Sequence, residues 1–306
     1  MRRDDELPAV GEIRVECPDG VSLWAEWLGP SDDEPIVLLA GSGMQGVVWE
    51  SSVWGHWLAA GRGVVRFDWR DVGLSDRVDF ATSPYGLATL VDDVDMILTA
   101  FDVDAFHSLA FSMGGRVAQA LAARDPSRTR SLTLIGSRGA LNGQIQIADT
   151  SPTLAAVINE TVPADHDGRV RWLTELWRCS AGPRYPFDET FWSKRLDAWI
   201  RRGHNFACPQ FVMPFAAHPD VLAAIVAPTL VIQGTDDAFV PPEEGKALAV
   251  AIEHAGLVML EGLGHETPAA FFDEMRDTID VHMGFTQVQS SPEPDEIGTK
   301  IMSAER

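Results

Sequence analysis

The stretch HSLAFSMGGRVAQALA, residues 107–122, contains a lone serine between an apolar run and a segment with helical spacing. This pattern predicts a strand that ends at Phe111 and a helix that begins within a residue or two, with Ser112 on the sharp turn between them. A side chain on such a turn points away from the sheet edge into open space, which suits a nucleophile. A serine at a turn also serves as a helix cap, so catalysis requires further groups elsewhere in the chain.

A serine hydroxyl is a poor nucleophile at neutral pH and needs a neighbouring base that an acid orients. The segment QGTDDAFVPP follows the apolar run PTLVI and places Asp237 after a predicted strand, and LEGLGHETP places His265 after the run GLVML. Because the carboxyl ends of parallel strands share one edge of a sheet, we expect Ser112, Asp237 and His265 to converge there. Asp236 competes with Asp237, and either carboxylate is also typical of a turn.

An acyl-transfer site also requires backbone N–H groups that stabilise an oxyanion. The first candidate is the N–H of Met113 at the start of the predicted helix, where the helix dipole favours negative charge. The second is predicted in the loop GSGMQGVVW, whose glycines allow a close approach of the main chain, with Ser42 as the first choice. A glycine-rich turn without a binding role is the alternative.

The elements that must position these groups form an alternating pattern. Strand and helix signals alternate over residues 1–136 and again over 228–285, which predicts a mostly parallel sheet covered by helices on both faces. Residues 137–227 have helical spacing, bulky aromatic side chains and no clear strand, so they are predicted to form an inserted helical cap. The polar residues 286–306, which include Pro, Ser and Glu, predict a disordered tail.

Composition and charge exclude several classes of function. The chain has 306 residues, 45% of them apolar, and its 24 basic and 45 acidic residues give a net charge of −21. Such a surface repels phosphate backbones, so no nucleic-acid partner is expected, and no glycine motif predicts a nucleotide cofactor. The N-terminus lacks the apolar core of a signal peptide, and no stretch reaches the roughly 20 apolar residues of a membrane span. These features predict a cytoplasmic protein without a membrane partner.

The three cysteines lie far apart in the sequence and form no CxxC pair. They therefore predict neither a disulfide framework nor a metal site. No feature of the sequence sets the oligomeric state.

From about residue 12 to residue 284 the chain resembles the α/β-hydrolase family. The matching segments are LLAGSGMQGVVW, RFDWRDVGLSD, AFSMGG, PTLVIQGTDDAFVPP and GLGH. Within the family, DWRDVGLSDRVDFATSPYGLATLVDDV and YPFDETFW are similar to segments of aclacinomycin methylesterases and related polyketide-tailoring esterases. The resemblance implies the α/β-hydrolase fold, which is a mostly parallel, twisted sheet flanked by helices with an inserted helical cap.

The resemblance also implies a role for each residue that matches a family motif. Ser112 corresponds to the nucleophile, Asp237 to the acid and His265 to the base. Ser42 and Met113 correspond to the main-chain donors of the oxyanion hole.

Two positions depart from the family pattern. Ala110 stands where the elbow has glycine, and its methyl group adds crowding at a strained turn. Ala40-Gly41 stands in place of the frequent His-Gly opening of the oxyanion loop, which affects loop support more than function because the donor is backbone. Asp68 and Arg70 match a loop that is usually structural, in which an ion pair tethers neighbouring turns.

The function predicted from these residues is that of a serine hydrolase that cleaves a carboxylic ester through an acyl-enzyme, without a metal or an organic cofactor. The expected substrate is an apolar small-molecule ester, and the finer expectation is a methyl ester of a bulky aromatic or polyketide-type acid. Its pocket is expected to include Trp172, Trp177, Trp192 and Phe211. Packing of the cap against the core is the alternative role for these side chains.

Other reactions on the same triad stay open, because a fold does not fix a function. They are lactone opening, thioester cleavage, C–C hydrolysis and a non-hydrolytic biosynthetic step. A non-catalytic ligand-binding protein is a further alternative, against which the candidate triad argues. A dehalogenase or an epoxide hydrolase of this fold needs a carboxylate at position 112, so Ser112 disfavours both.

Overall fold

The computed structural model describes residues 11–139, 151–211, 219–285 and 301–302. The predicted tail at 286–306 lies outside these residues, apart from a two-residue strand at 301–302. In the described part of the chain, one sheet contains nine strands. They are β1 (Gly11–Glu16), β2 (Ser22–Leu28), β3 (Ile36–Leu39), β4 (Val64–Phe67), β5 (Phe106–Phe111), β6 (Thr129–Ile135), β7 (Thr229–Gly234), β8 (Gly256–Leu260) and β9 (Ile301–Met302).

The sheet is mostly parallel, as predicted. Its strand order is β1-β2-β4-β3-β5-β6-β7-β8-β9. The strands from β4 to β8 in this order are parallel to one another. Three pairs are antiparallel: β1 with β2, β2 with β4, and β8 with β9. The carboxyl ends of β3, β5, β7 and β8 therefore lie along one edge, where the candidate catalytic residues follow their strands.

Helices follow most of these strands. Their bounds are α1 (Ser51–Ala59), α2 (Leu87–Ala100), α3 (Met113–Arg124), α4 (Pro152–Ile158), α5 (His166–Ser180), α6 (Glu189–Arg201), α7 (Pro219–Ala223), α8 (Pro242–Ala251) and α9 (Ala269–His282). Two short 3-10 helices are Gly46–Val48 and Pro209–Phe211.

The side chains of β3 alternate between two hydrophobic cores, one on each face of the sheet. Val37 and Leu39 join a core that includes residues of α2, α3 and α8. Ile36 and Leu38 join the other, which includes residues of α1, α5, α6 and α9. All four side chains are completely buried. This two-sided burial explains why the strand is one continuous apolar run in the sequence.

Between β6 and β7 the described residues form helices and no strand. Three of these helices begin at a residue whose side-chain oxygen accepts an N–H from three positions further on: Ser151, Asp165 and Asp188. The helices α5 and α6 bury Leu173 and Leu196 in the same core as α1 and α9. We call α4, α5, α6 and the 3-10 helix Pro209–Phe211 the interstrand helices.

The tethering expected of Asp68 and Arg70 takes the form of two separate ion pairs. Asp68 accepts a hydrogen bond from Arg202 Nη1 at 2.6 Å, just after α6, and another from the Gly46 N–H at 2.7 Å. Arg70 pairs with Asp93 of α2 through two hydrogen bonds of 2.6 and 2.7 Å. Both pairs are structural, and the first connects the interstrand helices to the loop after β3.

Candidate active site

Ser112 occupies a strained turn between β5 and α3. Its φ of 54° and ψ of −119° lie in a region that residues other than glycine rarely adopt. The Ser112 N–H donates to Ile135 O at 2.9 Å, and the Ser137 hydroxyl donates to Ser112 O at 2.9 Å. These bonds from β6 and the residues after it hold the turn in a conformation in which Ser112 lines a cavity.

Two glycines allow α3 to begin directly against the sheet. A Cβ atom on Gly114 would lie 2.3 Å from Leu39 O of β3, and one on Gly115 would lie 2.3 Å from Ser137 Oγ. Larger residues at these positions would push the helix and its first N–H groups away from the turn. Ala110, which departs from the family pattern, is completely buried in the core, so its methyl group is accommodated there.

The structure brings Asp237 and His265 together with Ser112, although the three residues follow three different strands. His265 Nε2 lies 3.0 Å from Ser112 Oγ, and His265 Nδ1 lies 2.7 Å from Asp237 Oδ2. A carboxylate only accepts hydrogen bonds, so this contact places the imidazole proton on Nδ1. Nε2 is then free to accept the serine hydroxyl, which is the arrangement a general base requires.

Of the two adjacent aspartates, Asp237 reaches the imidazole. Its other oxygen accepts the N–H groups of Phe239 at 2.9 Å and Val240 at 2.7 Å, and the residue is buried. Asp236 is exposed and accepts a hydrogen bond from the Thr235 hydroxyl at 2.7 Å. The structure therefore shows which of the two adjacent aspartates contacts the imidazole, which the sequence alone left open.

The imidazole of His265 is held from several sides. Its ring centroid lies 4.7 Å from that of Phe111 and 5.0 Å from that of Phe239. Its backbone N–H donates to Ser180 O, at the end of α5, at 2.8 Å. The interstrand helices thus contribute directly to the position of the candidate base.

Two neighbouring backbone N–H groups in the loop after β3, those of Ser42 and Gly43, differ in their hydrogen bonding. The Gly43 N–H donates to Gln210 Oε1 at 2.9 Å, so it has a partner already. The Ser42 and Met113 N–H groups have no hydrogen-bond partner within the described residues. Ser42 lines the same cavity as Ser112, and Met113 directly follows the serine. These are the two N–H groups that the sequence singled out as candidates, and their role as oxyanion donors stays a prediction.

Gln210 is a site residue that the sequence analysis missed. It is 2% exposed, and its amide nitrogen donates to Arg70 O at 2.9 Å while its oxygen holds Gly43. A second glutamine, Gln45, makes a comparable connection by donating to Trp199 O at 2.7 Å. Neither residue belongs to a recognisable motif, and Gln210 lies 167 positions from its partner in the loop, so no local signal identified it.

A cavity of about 460 Å³ lies between Ser112 and the interstrand helices. Most of its walls are apolar, and three of the predicted pocket residues line it: Trp172, Trp177 and Phe211. Phe211 is 51% exposed, as expected of a residue at the rim of a cleft. Further aromatic residues in the walls, which the sequence analysis did not single out, are Phe111, Trp199, Phe206 and Phe239.

The structure corrects the expectation for Trp192. This side chain is 4% exposed, belongs to the hydrophobic core and does not line the cavity. Its ring stacks on Trp177 with centroids 4.6 Å apart and on Phe187 with centroids 6.0 Å apart. Trp192 therefore supports the wall from behind, which is the packing role that the sequence left open as an alternative.

Glu266 is a second residue that the sequence analysis did not identify. It directly follows His265, is 4% exposed, and accepts the Gly182 N–H with both carboxylate oxygens at 3.2 Å. Burial raises the pKa of Glu266 to about 7, and the charge of Asp237 acts in the same direction, whereas the N–H groups of Gly182 and Gly264 oppose the shift. The titratable carboxyl group of Glu266 thus joins the loop that carries His265 to the residues after α5.

No group of three or more His, Cys, Asp or Glu side chains in the described part of the chain is arranged to hold a metal ion. Its three cysteines are free thiols. None of the helices formed by the described residues is long and apolar enough to cross a membrane.

Comparison with known proteins identifies the family. A family model for the α/β-hydrolase fold matches residues 34–181, and a model for TAP-like proteins matches residues 201–275. The rhodomycin D methylesterase DauP of Streptomyces sp. (strain C5) is 31% identical over 294 residues, which cover 88% of this chain and 97% of that protein. This chain belongs to the α/β-hydrolase family. The predicted family and the resemblance to methylesterases of this kind are confirmed.

Other proteins extend the comparison for this α/β-hydrolase. The rhodomycin D methylesterase DnrP of Streptomyces peucetius is 30% identical and covers 88% of the chain and 97% of its own length. Among solved structures, the esterase RhEst1 from Rhodococcus sp. ECU1013 superimposes with a TM-score of 0.71, at 23% identity, over 88% of this chain and 98% of that one. At this identity the structural likeness establishes the fold alone, and the α/β-hydrolase fold predicted from the sequence is confirmed.

Proposed function

We propose that this protein is a serine esterase in which Ser112 attacks the carbonyl of a carboxylic ester. The observation that supports this function best is the hydrogen-bonded chain from Ser112 Oγ through the His265 imidazole to Asp237, at 3.0 and 2.7 Å. The likeness to curated methylesterases supports ester hydrolysis as the reaction class. In this proposal, residues 137–227 form a cap and residues 1–136 and 228–285 form the catalytic core.

In the first half-reaction, Ser112 Oγ bonds to the carbonyl carbon and its proton passes to His265 Nε2. Asp237 keeps the Nδ1–H in place and stabilises the imidazolium that forms. The carbonyl oxygen becomes an oxyanion that accepts the N–H groups of Ser42 and Met113. Each such donor is worth about 3–4 kcal/mol of transition-state stabilisation in comparable sites.

The tetrahedral intermediate then collapses and expels the alcohol, which takes the proton from His265 Nε2. Water attacks the remaining acyl-enzyme and gives its proton to the same nitrogen. Collapse of the second intermediate releases the acid and returns the proton to Ser112 Oγ. All the groups that this cycle requires are present in the chain, and no metal or organic cofactor takes part.

The proposed substrate is a methyl ester of a bulky aromatic acid. The apolar, largely aromatic walls of the cavity support this choice, since apolar pockets with a few polar groups are typical sites for ligands of this size. The rhodomycin D methylesterases support the methyl ester as the scissile group, and a polyketide-type acid is the finer proposal for the acyl part. A small aliphatic acyl group would leave most of these walls without contact.

Labelling with a fluorophosphonate probe tests the proposed nucleophile. The wild-type protein is expected to gain the mass of one phosphonyl group on Ser112, whereas folded Ser112→Ala is expected to stay unlabelled. Ser127→Ala, at an exposed position away from the cavity, is the matched control and should be labelled like the wild type. Labelling of the Ser112→Ala variant would disprove the assignment. A burst of p-nitrophenol from p-nitrophenyl acetate separates a covalent esterase from a non-catalytic binding protein.

A further inference from the structure

One wall of the cavity carries a histidine that the proposed chemistry does not use. His204 lies three residues after α6 and lines the cavity. Among the other polar side chains of the cavity, Ser112 and His265 belong to the triad, the Ser180 hydroxyl donates to a carbonyl of its own helix at 2.6 Å, and the Trp172 indole N–H donates to Val157 O at 3.2 Å. Ser42 lies in the oxyanion loop. Among the described lining residues, His204 has a side chain that can both donate and accept and that the proposed chemistry does not use, whereas the indole N–H groups of Trp177 and Trp199 only donate.

The ring of His204 is firmly positioned but has no hydrogen-bond partner within the described residues. Its Nδ1 is sealed from solvent and unpaired, so Nε2 is the nitrogen that a ligand can reach. The backbone N–H of the residue donates to Trp199 O at 3.1 Å. The ring packs edge-to-face on Phe206, with centroids 4.6 Å apart and an interplanar angle of 84°. His204 therefore offers one accessible ring nitrogen, Nε2, on a fixed ring in the cavity wall, and the described residues provide no hydrogen-bond partner for it.

The imidazole of His204 is neutral at physiological pH. Burial lowers the pKa of His204 to about 4, and the positive charge of Arg77 acts in the same direction. A neutral imidazole has one nitrogen that donates and one that accepts. A hydroxyl group both donates and accepts, so it can pair with Nε2 whichever tautomer is present.

We propose that His204 recognises a hydroxyl group on the acyl part of the substrate, which makes the ester of a hydroxylated aromatic acid the preferred substrate. This inference rests on the proposed function, because it assigns the acyl part of the ester to the cavity. The remaining walls beside His204, such as Trp172 and Phe206, are aromatic and suit the ring system that carries the hydroxyl. One polar contact in such a pocket fixes the orientation of the ligand and provides specificity.

The test compares methyl naphthoate with its positional hydroxy isomers and with the matching methoxy isomers. For at least one position, wild-type kcat/KM is expected to be about 10-fold higher for the hydroxy ester than for the parent ester. The methoxy ester at that position cannot donate a hydrogen bond and is bulkier, so it should gain less than the hydroxy ester; it can pair with Nε2 only when that nitrogen carries the proton. If no hydroxy isomer exceeds the parent by about threefold, the proposal is wrong.

Substitution of His204 tests whether this residue is the source of the preference. His204→Phe keeps a planar ring without a polar atom and is expected to lose the preference while it still hydrolyses the parent ester. His204→Gln, which retains a donor and an acceptor, should keep part of it. His254→Phe, at a side chain that is 86% exposed and outside the cavity lining, is the matched control and should behave like the wild type. Retention of the full preference by folded His204→Phe would assign the hydroxyl to another group.

Binding to Ser112→Ala separates this inference from the proposed function. The dissociation constants of the hydroxy and parent esters for this variant, measured by calorimetry, should differ by about 10-fold, and the difference should disappear in Ser112→Ala/His204→Phe. A difference in binding without any hydrolysis by the wild type would leave the His204 site standing and refute the esterase. Equal binding together with normal hydrolysis would leave the esterase and refute the hydroxyl site.

Discussion

The two oxygens of the Asp237 carboxylate have separate tasks, and this division explains why the adjacent aspartate cannot replace it. One oxygen faces the His265 imidazole, and the other accepts two backbone N–H groups of its own loop. These two backbone hydrogen bonds hold the Asp237 carboxylate independently of its contact with His265. Asp236, one position away, is exposed to solvent and bonded to Thr235.

Asp237→Asn is expected to lower kcat by roughly 10⁴, because an amide nitrogen facing the imidazole favours the wrong tautomer. Asp236→Asn removes an exposed charge and should leave kcat near that of the wild type. Steady-state kinetics with any accepted ester measure both effects. The reverse ranking of the two variants would show that the orienting carboxylate had been misassigned.

Glu266 connects protein stability to pH. Its pKa in the folded protein is about 7, above the ordinary value of 4.5, because the carboxyl group is buried. Between these two values the folded state holds a proton that the unfolded state has released. The contribution of Glu266 to stability is therefore fully present at low pH and is lost as the pH rises toward 7.

Glu266→Gln, which cannot titrate, should remove this part of the pH dependence. The difference in unfolding free energy between wild type and variant is expected to change between pH 4.5 and 7 by up to about 1.4 kcal/mol per pH unit, with the wild type losing stability as the pH rises. Urea unfolding at several pH values measures it, and other titrating groups cancel in the difference. Parallel pH profiles for the two proteins would contradict a raised pKa.

The residues of the site were predictable from the sequence where a local motif carries them. Ser112, Asp237 and His265 each follow a strand within a short recognisable segment, and the structure places them within hydrogen-bond distance of one another. Gln210 and Glu266 were missed because their importance depends on partners that are distant in sequence and meet only in the folded chain.

For the aromatic residues too, the sequence could not show which side chains line the cavity. Trp177 lines the cavity and Trp192 stacks behind it, yet both are tryptophans on helices of the same segment. Which one faces a ligand depends on how each helix rotates against its neighbours. Composition and helical spacing alone do not determine that rotation.

At the scale of elements, the strands were predictable because burial sets their pattern. A strand covered on both faces is a continuous apolar run, and β3, β5 and β7 are buried along their whole length. The order of strands across the sheet was not contained in any single segment, since it depends on crossovers between β3, β4 and β5. The family resemblance implied a mostly parallel sheet but was not used to predict the order of its strands.

Because α3 lies close to β3, a Gly-to-Ala substitution at the start of α3 is expected to destabilise the protein, although helix propensity alone favours alanine over glycine. Gly114→Ala is expected to destabilise the protein by about 1–3 kcal/mol, because its Cβ would meet backbone oxygens of Leu39 and Ala40 at 2.3 and 2.6 Å. Chemical denaturation of the variant measures this change. Since the same shift moves the Met113 N–H, kcat should fall as well.

Gly55→Ala in α1 is the matched control for this prediction. A Cβ at Gly55 meets no atom within 4 Å, so the substitution should stabilise the helix by roughly 0.5–1 kcal/mol. Equal effects of the two substitutions would mean that α3 does not depend on close contact with the sheet.

At the scale of the whole molecule, the interstrand helices and the sheet form the site jointly. Arg202 donates to Gln45 and Gln210 accepts from Gly43, both in the loop that carries Ser42, and Ser180 O accepts the backbone N–H of His265. Contacts from outside the sheet therefore support both the loop that carries Ser42 and the candidate base. The same helices supply most of the cavity walls, so in the proposed function one interface sets both the catalytic geometry and the fit of the substrate.

This joint construction predicts a preference for large aromatic acyl groups. For methyl esters, kcat/KM should be at least about 10-fold higher with naphthoate or larger ring systems than with acetate or butyrate, which corresponds to about 1.4 kcal/mol of transition-state binding. At about 25 cal/mol per Å² of apolar surface, contact over only about 55 Å² is sufficient, and a naphthalene ring offers more than that. The methyl alcohol is kept constant so that leaving-group chemistry does not vary. A preference for acetate or butyrate esters would leave the triad intact and rule out the bulky aromatic acid as substrate.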